Sequence, residues 1–302
     1  MSALSFTPRF IAASDGTLLR TAVFEGGAQV CVLLHGQTEF IEKYGEVIGE
    51  LRARGFTVAT FDWRGQGGSV RLLDDPLKAH VGDFAEYDDD LASFLEQVVR
   101  PLSPAPPLAL AHSMGGHILL RTLHDKPGAF RAAALSAPML AVSARGYPGW
   151  LARAVTMLHA GSGRRMDFAW GMAARDPFLV DFAAQLCTTD AQRFARTQEI
   201  LKLNPSLRLA GPTWGWLAAA YRSMARMAAP EFAEAIAAPV LMVAAGHDRI
   251  VVQSAERAFA RRLPHATYVE IEDGEHELLM ERDAVRARFW QAFDAFALTS
   301  IA

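Results

Sequence analysis

The chain has 302 residues, of which 51% are hydrophobic and 21% are charged, and its formal net charge is −3. This length is sufficient to bury a large core in one domain, or in one domain that carries an insertion. The slightly acidic balance argues against a general nucleic-acid-binding protein, which would present a basic surface.

The cysteines and the first residues bear on the location of the protein. The two cysteines, Cys31 and Cys187, are too few for a disulfide framework and fit a reducing compartment. The first ten residues lack the basic segment and apolar core of a signal peptide, and no stretch approaches the roughly 18 apolar residues of a membrane span. We therefore expect a cytoplasmic protein. No cluster of Cys and His has the spacing of a zinc site, so no metal is expected.

The chain begins with patterns typical of strands. Residues 6–13 and 17–24 flank an Asp-Gly pair, which predicts a hairpin. Residues 30–34 form a continuous apolar run, typical of a strand buried on both faces of a parallel sheet. A helix is predicted at residues 40–54 and another strand at residues 56–61.

Ser113 lies between a predicted strand and a predicted helix. A helix at residues 83–99 precedes the apolar run at residues 108–111, and a helical pattern follows at residues 118–124. A serine on such a turn is typical of a nucleophile elbow, Gly-x-Ser-x-Gly, in which small residues let the helix pack closely on the strand. Here Ala111 replaces the first glycine, and we still expect a strained backbone at the serine. The alternative is an ordinary helix N-cap, for which serine is a preferred residue.

After a further short strand at residues 132–135, the alternation of strands and helices stops between residues 137 and 238. This stretch has no clear strand and shows helical patterns at residues 148–160, 190–203 and 213–227. It also holds four of the six tryptophans and six of the ten methionines. We predict a helical cap that lies over the strand ends. Its large apolar residues form either its own core or an apolar underside suited to an acyl chain.

Charge is uneven between the cap and the rest of the chain. Residues 137–235 hold eleven Arg or Lys against seven Asp or Glu, whereas the remainder holds 19 against 26. A basic cap on an acidic body is expected to attract an anionic head group or a membrane surface. The alternative is an ordinary solvated face.

The alternation resumes after the cap. Strands are predicted at residues 239–245 and 266–271, and helices at residues 253–263 and 281–298. Strands that alternate with helices predict an α/β protein with a mostly parallel sheet and helices on both faces. In such sheets ligands bind beyond the carboxyl ends of the strands.

Ser113, Asp248 and His276 each follow directly on a predicted strand. Serine, acid and histidine is the chain order of the α/β-hydrolase triad. A serine hydroxyl is a weak nucleophile at neutral pH, so an imidazole must take its proton and a carboxylate must orient the imidazole. Taken singly, Asp248 fits a turn and His276 a helix start. Their shared order and placement predict a nucleophile, an acid and a base in one site.

Other acids and histidines fit this pattern less well. Three further acids lie just before His276: Glu272, Asp273 and Glu275. They are alternatives to Asp248, but their nearness to the histidine in sequence makes the geometry awkward. His247 and His265 are weaker candidates for the base, because the first adjoins the acid and the second precedes the last strand.

Attack on a carbonyl creates an oxyanion that needs two backbone N–H donors. One is expected from Met114, which follows the nucleophile at the start of a helix. The other is expected from the loop after the strand that ends at Leu34. In that loop Gln37 follows His35 and Gly36, so we predict the Gln37 N–H as the second donor and a structural role for His35.

A set of short motifs spans nearly the whole chain. They are residues 34–36 with Glu39 and Tyr44, 62–67 (Asp-Trp-Arg-Gly-Gln-Gly), 82–84 with 90–91, 112–116 (His-Ser-Met-Gly-Gly), 211–213 with 215–216, 246–248 (Gly-His-Asp) and 276–279 (His-Glu-Leu-Leu). Together they resemble the serine hydrolases of the α/β-hydrolase superfamily that are grouped with bacterial lysophospholipase L2 and monoacylglycerol lipase. Residues 62–67 and 211–216 are most similar to the lysophospholipase L2 branch.

The pattern of elements and this resemblance together define the expected protein. The elements assign an α/β-hydrolase core to residues 1–136 and 239–302 and a cap to residues 137–238. The resemblance implies hydrolysis of carboxylic esters of single-chain lipids, such as a lysophospholipid or a monoacylglycerol, through an acyl-enzyme on Ser113 and without a cofactor. Two alternatives stay open: an esterase or peptidase acting on other small substrates, and a non-catalytic binding protein with the same fold.

Overall fold

The computed structural model describes residues 5–144, 146–171 and 180–301. The strands of this part are β1 (Arg9–Ala12), β2 (Leu18–Phe24), β3 (Gln29–Leu34), β4 (Phe56–Phe61), β5 (Lys78–Ala79), β6 (Leu108–His112), β7 (Ala132–Ser136), β8 (Gly211–Pro212), β9 (Val240–Ala245) and β10 (Ala266–Ile271). Its α-helices are α1 (Gly45–Ala53), α2 (Ala85–Phe94), α3 (Met114–Asp125), α4 (Gly149–Gly161), α5 (Ala191–Leu203), α6 (Trp214–Met227), α7 (Pro230–Glu234), α8 (Gln253–Ala260) and α9 (Asp283–Ile301).

Eight of these strands form one sheet in the order β1-β2-β4-β3-β6-β7-β9-β10. β1 and β2 form the predicted hairpin and pair antiparallel, as do β2 and β4. All other neighbours in the sheet are parallel. The predicted α/β-hydrolase fold, with a mostly parallel central sheet flanked by helices, is therefore confirmed.

The two faces of the sheet are packed by different helices. Side chains alternate along a strand, so Leu108 and Leu110 of β6 join one apolar cluster and Ala109 and Ala111 join the other. Helices α1 and α9 supply apolar residues to the first cluster, and α2, α3, α6 and α8 supply them to the second. Because both faces are covered, every residue of β6, β7 and β9 is buried.

Helices α4 to α7 occupy the chain between β7 and β9; α4, α5 and α6 match the predicted helical patterns, and the short α7 was not predicted. The expectation of no strand there is wrong, because Gly211–Pro212 forms β8 and pairs with β5. A two-residue strand has no periodicity from which it could be predicted. Leu201 of α5 and Leu207 pack on Phe40, just beyond the carboxyl end of β3. Residues 145 and 172–179 of the predicted cap lie outside the described residues.

The strand order brings together the loops that carry the predicted site. β3 lies beside β6, with Leu34 opposite Ala111, so the loop after β3 emerges next to Ser113. β9 lies beside β10, with Ala245 opposite Ile271, so the loops after these two strands also emerge together. Because all four strands are parallel, their carboxyl ends share one edge of the sheet.

Candidate active site

Ser113 occupies a strained turn between β6 and α3. Its φ is 50° and its ψ is −114°, a conformation that residues other than glycine rarely adopt. Backbone hydrogen bonds to β7 and the segment after it hold this turn, from Ser113 N to the Ser136 carbonyl (3.0 Å) and from Met139 N to the Ser113 carbonyl (3.0 Å). The predicted strain is present despite Ala111. The hydroxyl does not cap α3, so the N-cap alternative is wrong.

Close packing of α3 on β3 explains the second glycine of the elbow. A Cβ at Gly115 would lie 2.7 Å from the carbonyl oxygens of both Leu34 and His35. Such contacts are far inside van der Waals distance and involve backbone atoms, which cannot easily move. Ala111 at the first position of the elbow is buried within the sheet without such a conflict.

We expect Gly115→Ala to destabilise the protein by about 2–4 kcal/mol and to lower its activity, because the new methyl group forces α3 away from β3. Denaturant unfolding measures the first effect and an ester assay the second. The matched control is Gly49→Ala on the exposed side of α1, where a Cβ meets no atom within 4 Å. That change is expected to be neutral or slightly stabilising. Equal stability of the two variants would contradict the packing argument.

Ser113, His276 and Asp248 form a continuous hydrogen-bonded chain. Ser113 Oγ lies 3.0 Å from His276 Nε2, and His276 Nδ1 lies 2.6 Å from Asp248 Oδ2. The other oxygen of the carboxylate, Oδ1, accepts N–H groups from Ile250 (2.7 Å) and Val251 (2.9 Å). Burial acts to raise the pKa of Asp248, but the hydrogen bonds from His276 and from the backbone outweigh it and hold that pKa below its ordinary value.

The three alternative acids have other surroundings. Glu275 Oε1 accepts a hydrogen bond from Arg249 at 3.0 Å, and Asp273 pairs with Arg288. Glu272 is exposed. Within the described residues none of the three is hydrogen-bonded to the imidazole, so Asp248 is the acid that the geometry selects.

The remaining histidines of these loops lie apart from the nucleophile. His247 is exposed. His265 lies at the amino end of β9, where its carbonyl accepts the Val240 N–H, so it is at the opposite edge of the sheet. His35 is buried, and its Nε2 lies 3.2 Å from Asp62 Oδ1. This contact supports the structural role expected for His35.

The loop after β3 lies directly against the nucleophile. A Cβ at Gly36 would lie 3.3 Å from Ser113 Cβ and 3.0 Å from His112 Cδ2. In the part of the chain that the structure describes, the N–H groups of Gln37 and Met114 donate to no protein acceptor. Met114 also begins α3, whose dipole favours negative charge at that end. Both N–H groups are therefore available to an oxyanion.

His112 is a neighbour of the site that the sequence did not single out. Its ring centre lies 4.8 Å from that of His276, and its Nδ1 lies 3.1 Å from the Ser136 carbonyl oxygen. Burial lowers the pKa of His112 to about 4. The ring is therefore neutral at pH 7 and does not oppose the positive charge that His276 carries when it accepts a proton.

A buried ionic cluster connects the loop after β3 to the loop that carries His276. Lys43 Nζ lies 2.7 Å from Glu39 Oε1 and 2.7 Å from Glu277 Oε1. Tyr44 OH donates to Glu39 Oε2 at 2.7 Å. Burial acts to raise the pKa of Glu39, but the charge of Lys43 outweighs it and lowers that pKa. Sequence reasoning missed this cluster because Glu277 lies more than 230 residues from the other three members in the chain.

Comparison with known proteins identifies the family of the chain. The model of the family described as "Serine aminopeptidase, S33" matches residues 27–283. The chain belongs to this family of α/β hydrolases. The matched region contains all the short motifs described above, the nucleophile turn and every strand of the central sheet except β1 and β2.

Relatives and solved structures agree with this membership. Lysophospholipase L2 of Escherichia coli (strain K12) is 33% identical over 266 residues, which cover 86% of this chain and 77% of that protein. The crystal structure of Paleococcus ferrophilus monoacylglycerol lipase is 24% identical with a TM-score of 0.70, over 92% of this chain and 98% of that one. A soluble variant of monoglyceride lipase from Saccharomyces cerevisiae is 17% identical with a TM-score of 0.75, over 98% and 97% of the two chains. These two structures show the shared fold.

Proposed function

We propose that the protein is a carboxylic ester hydrolase that cleaves single-chain lipids, either lysophospholipids or monoacylglycerols. The observation that carries the proposal is the hydrogen-bonded chain from Ser113 through His276 to Asp248, with distances of 3.0 and 2.6 Å. The names of the relatives support the lipid substrate, since the Escherichia coli protein is a lysophospholipase and another relative, 31% identical over 36% of this chain, is a monoacylglycerol lipase.

The proposed reaction passes through an acyl-enzyme on Ser113. Its Oγ attacks the ester carbonyl while His276 takes the hydroxyl proton, and Asp248 stabilises the imidazolium that forms. The N–H groups of Gln37 and Met114 hold the negative oxygen of the tetrahedral intermediate. His276 then protonates the leaving alcohol. A water that gives its proton to His276 attacks the acyl-enzyme, which releases the fatty acid and restores Ser113.

A substrate panel tests the lipid assignment. Activity on a series of esters from acetyl to palmitoyl is expected to rise with acyl length, because an acyl chain gains about 0.8 kcal/mol for each CH₂ that it buries. Lysophospholipid and monoacylglycerol of equal chain length compare the head groups, and an aminoacyl amide tests the peptidase alternative named in the family description. A preference for acetyl esters would contradict the lipid proposal, and faster cleavage of the amide would replace it.

The outer face of α4 supports contact with a membrane surface. Trp150, Leu151 and Leu158 share one side of the helix by their spacing, and Tyr147, just before the helix, is also exposed. Trp150 is 72% exposed and Leu158 is 69% exposed, whereas Thr156 on the opposite side is buried. A soluble domain normally turns such a stripe inward, so an outward stripe is typical of a binding surface.

Charge around the cap favours an anionic lipid surface as the partner of this stripe. Residues 137–235 carry a positive balance of Arg and Lys, and α4 itself contains Arg153 and no acid. Within the described residues no helix is long and apolar enough to cross a bilayer. From the exposed apolar side chains and the positive balance we propose reversible, peripheral contact through α4, at the surface that would supply the lipid substrate.

Substitution of the stripe is expected to separate membrane binding from chemistry. The double change Trp150→Ser and Leu158→Ser removes two exposed apolar side chains, so binding to vesicles that contain phosphatidylglycerol is expected to weaken about tenfold or more. Hydrolysis of a water-soluble short ester is expected to stay within about twofold. Vesicle sedimentation measures the binding. The control is Leu298→Ser on α9, where the side chain is 75% exposed. Equal vesicle binding by the double variant and the control would contradict the proposed surface.

A further inference from the structure

Three successive N–H groups follow β3, and the two outer ones are each held by a buried side chain. Gly36 N donates to Glu39 Oε2 at 2.5 Å. Thr38 N donates to Gln66 Oε1 at 2.5 Å. The N–H between them, that of Gln37, is the one proposed to hold the oxyanion. The loop is thus fixed on both sides of the donor that the chemistry requires.

The loop has a conformation that it would not keep unaided. Thr38 has a φ of 64°, in the left-handed region that a β-branched residue strongly disfavours. Strain of this kind persists only where surrounding contacts impose it. The hydrogen bond from Thr38 N to Gln66 is such a contact, and the Thr38 hydroxyl adds another by donating to the Gln37 carbonyl at 2.6 Å.

Gln66 contacts Met114, which carries one proposed donor, and Thr38, the residue that follows the other. Its side chain is buried, its Oε1 accepts the Thr38 N–H next to Gln37, and its Nε2 lies 3.8 Å from the sulfur of Met114. Its own backbone is anchored in a tight turn, with Gln66 N donating to the Trp63 carbonyl at 3.0 Å. A rigid side chain therefore spans the loop after β3 and the start of α3.

Glu39 is equally well fixed. Its Oε2 takes the Gly36 N–H and the Tyr44 hydroxyl, while its Oε1 faces Lys43. Lys43 in turn pairs with Glu277, the residue after the proposed base. The Glu39 carboxylate thus binds the loop after β3 through the Gly36 N–H. Through Lys43 it is also connected to Glu277, in the loop that carries His276.

We propose that Glu39 and Gln66 are positioning residues for the oxyanion hole, which clamp the N–H groups on either side of Gln37 and so aim its N–H at the reacting carbonyl. This inference rests on the proposed function of Ser113 and Gln37. Neither side chain touches the substrate in this role. Both act before the reaction, by removing the freedom of the loop to rotate the Gln37 N–H away.

Paired variants test the clamp by removing or keeping the acceptor atom. Gln66→Met and Glu39→Met have similar length and lack the oxygen, whereas Gln66→Glu and Glu39→Gln keep one. We expect each Met variant to lower kcat about 10- to 100-fold with KM within about twofold, since loss of a whole oxyanion donor costs about 10²- to 10³-fold. The variants that keep an oxygen are expected to have a kcat within about fivefold of that of the wild-type protein.

The ratio of activities on a matched ester and thionoester measures the oxyanion hole specifically, because a general loss of structure would lower both activities alike. Sulfur is a poor acceptor, so the wild-type protein is expected to prefer the oxygen ester strongly, and the Met variants are expected to reduce that preference about tenfold. Equal losses on both substrates, or Met variants as active as the wild-type protein, would overturn the inference. If Gln66→Met does not fold, the Glu39 pair decides. An inactive wild-type protein would instead remove the proposed function on which the inference rests.

Discussion

Ser113→Ala is expected to lower kcat for ester hydrolysis by about 10⁵- to 10⁶-fold, because the variant has no hydroxyl to form the acyl-enzyme. The residual rate reflects a substrate held in the oxyanion hole and attacked by water. Stability is expected to change little, since the hydroxyl neither caps α3 nor bonds to any described residue besides His276. Steady-state kinetics with a long-chain ester and thermal unfolding measure the two effects.

Ser136→Ala is the matched control for this change. Ser136 lies at the end of β7, the strand beside β6, and is fully buried. Its hydroxyl has no hydrogen-bond partner within the described residues. The control is expected to stay within about threefold of the wild-type kcat. A Ser113→Ala variant that keeps a tenth of the activity would show that another group is the nucleophile.

Asp248→Asn is expected to lower kcat by about 10⁴-fold with little change in structure. Asp248 Oδ1 accepts two backbone N–H groups, so an asparagine must keep its oxygen on that side. Its NH₂ group then faces His276 Nδ1, which must accept a hydrogen bond instead of donating one. That choice places the proton on Nε2, where His276 can no longer take the proton of Ser113. The wrong tautomer, and not a lost charge alone, stops the reaction.

Glu275→Gln is the control for the acid. Glu275 lies directly before His276, and its carboxylate pairs with Arg249. The pair is only partly exposed, but the glutamine side chain can still accept the hydrogen bond from Arg249, so kcat is expected to change less than about threefold. If Glu275→Gln were the more damaging of the two changes, Asp248 would not be the acid of the site.

The central part of the fold could be predicted because its strands are continuous apolar runs. Strands β4 and β10 have the predicted bounds, and β3, β6, β7 and β9 differ from the prediction by one residue at an end. Strands β3, β4, β6, β7 and β9 are largely buried, which favours apolar residues along most of their length, whereas β10 lies at the end of the sheet and is more exposed. The pairing of β5 with β8 could not be predicted, because strands of two residues depend on tertiary contacts and not on local pattern.

In the candidate site, too, some residues could be predicted from the sequence and others could not. Ser113, Asp248 and His276 could be found because each follows a recognisable strand and their chain order is informative. Glu39, Lys43 and Glu277 could not be joined into one cluster, since nothing in the sequence pairs residues 39 and 277. In the sequence, Gln66 could be recognised only as one residue of the motif at residues 62–67. Its contact with Thr38 depends on the strained loop, whose conformation follows from packing around it.

The outward stripe on α4 also required the structure. The tryptophans of the cap were expected to form either its core or an apolar underside. Trp214 and Trp216 are buried, but Trp150 and Trp170 are about two-thirds or more exposed, at 72% and 67%. Sequence shows that a helix has an apolar side, but only packing shows which side is covered.

The most direct test of the central claim is covalent labelling with a fluorophosphonate, followed by mass spectrometry of the peptides. An activated serine attacks such a reagent, whereas an ordinary serine does not. We predict one adduct per chain, located on Ser113, that disappears in Ser113→Ala and is formed much more slowly in Asp248→Asn. Absence of labelling in the wild-type protein, or an adduct on another serine, would contradict the account.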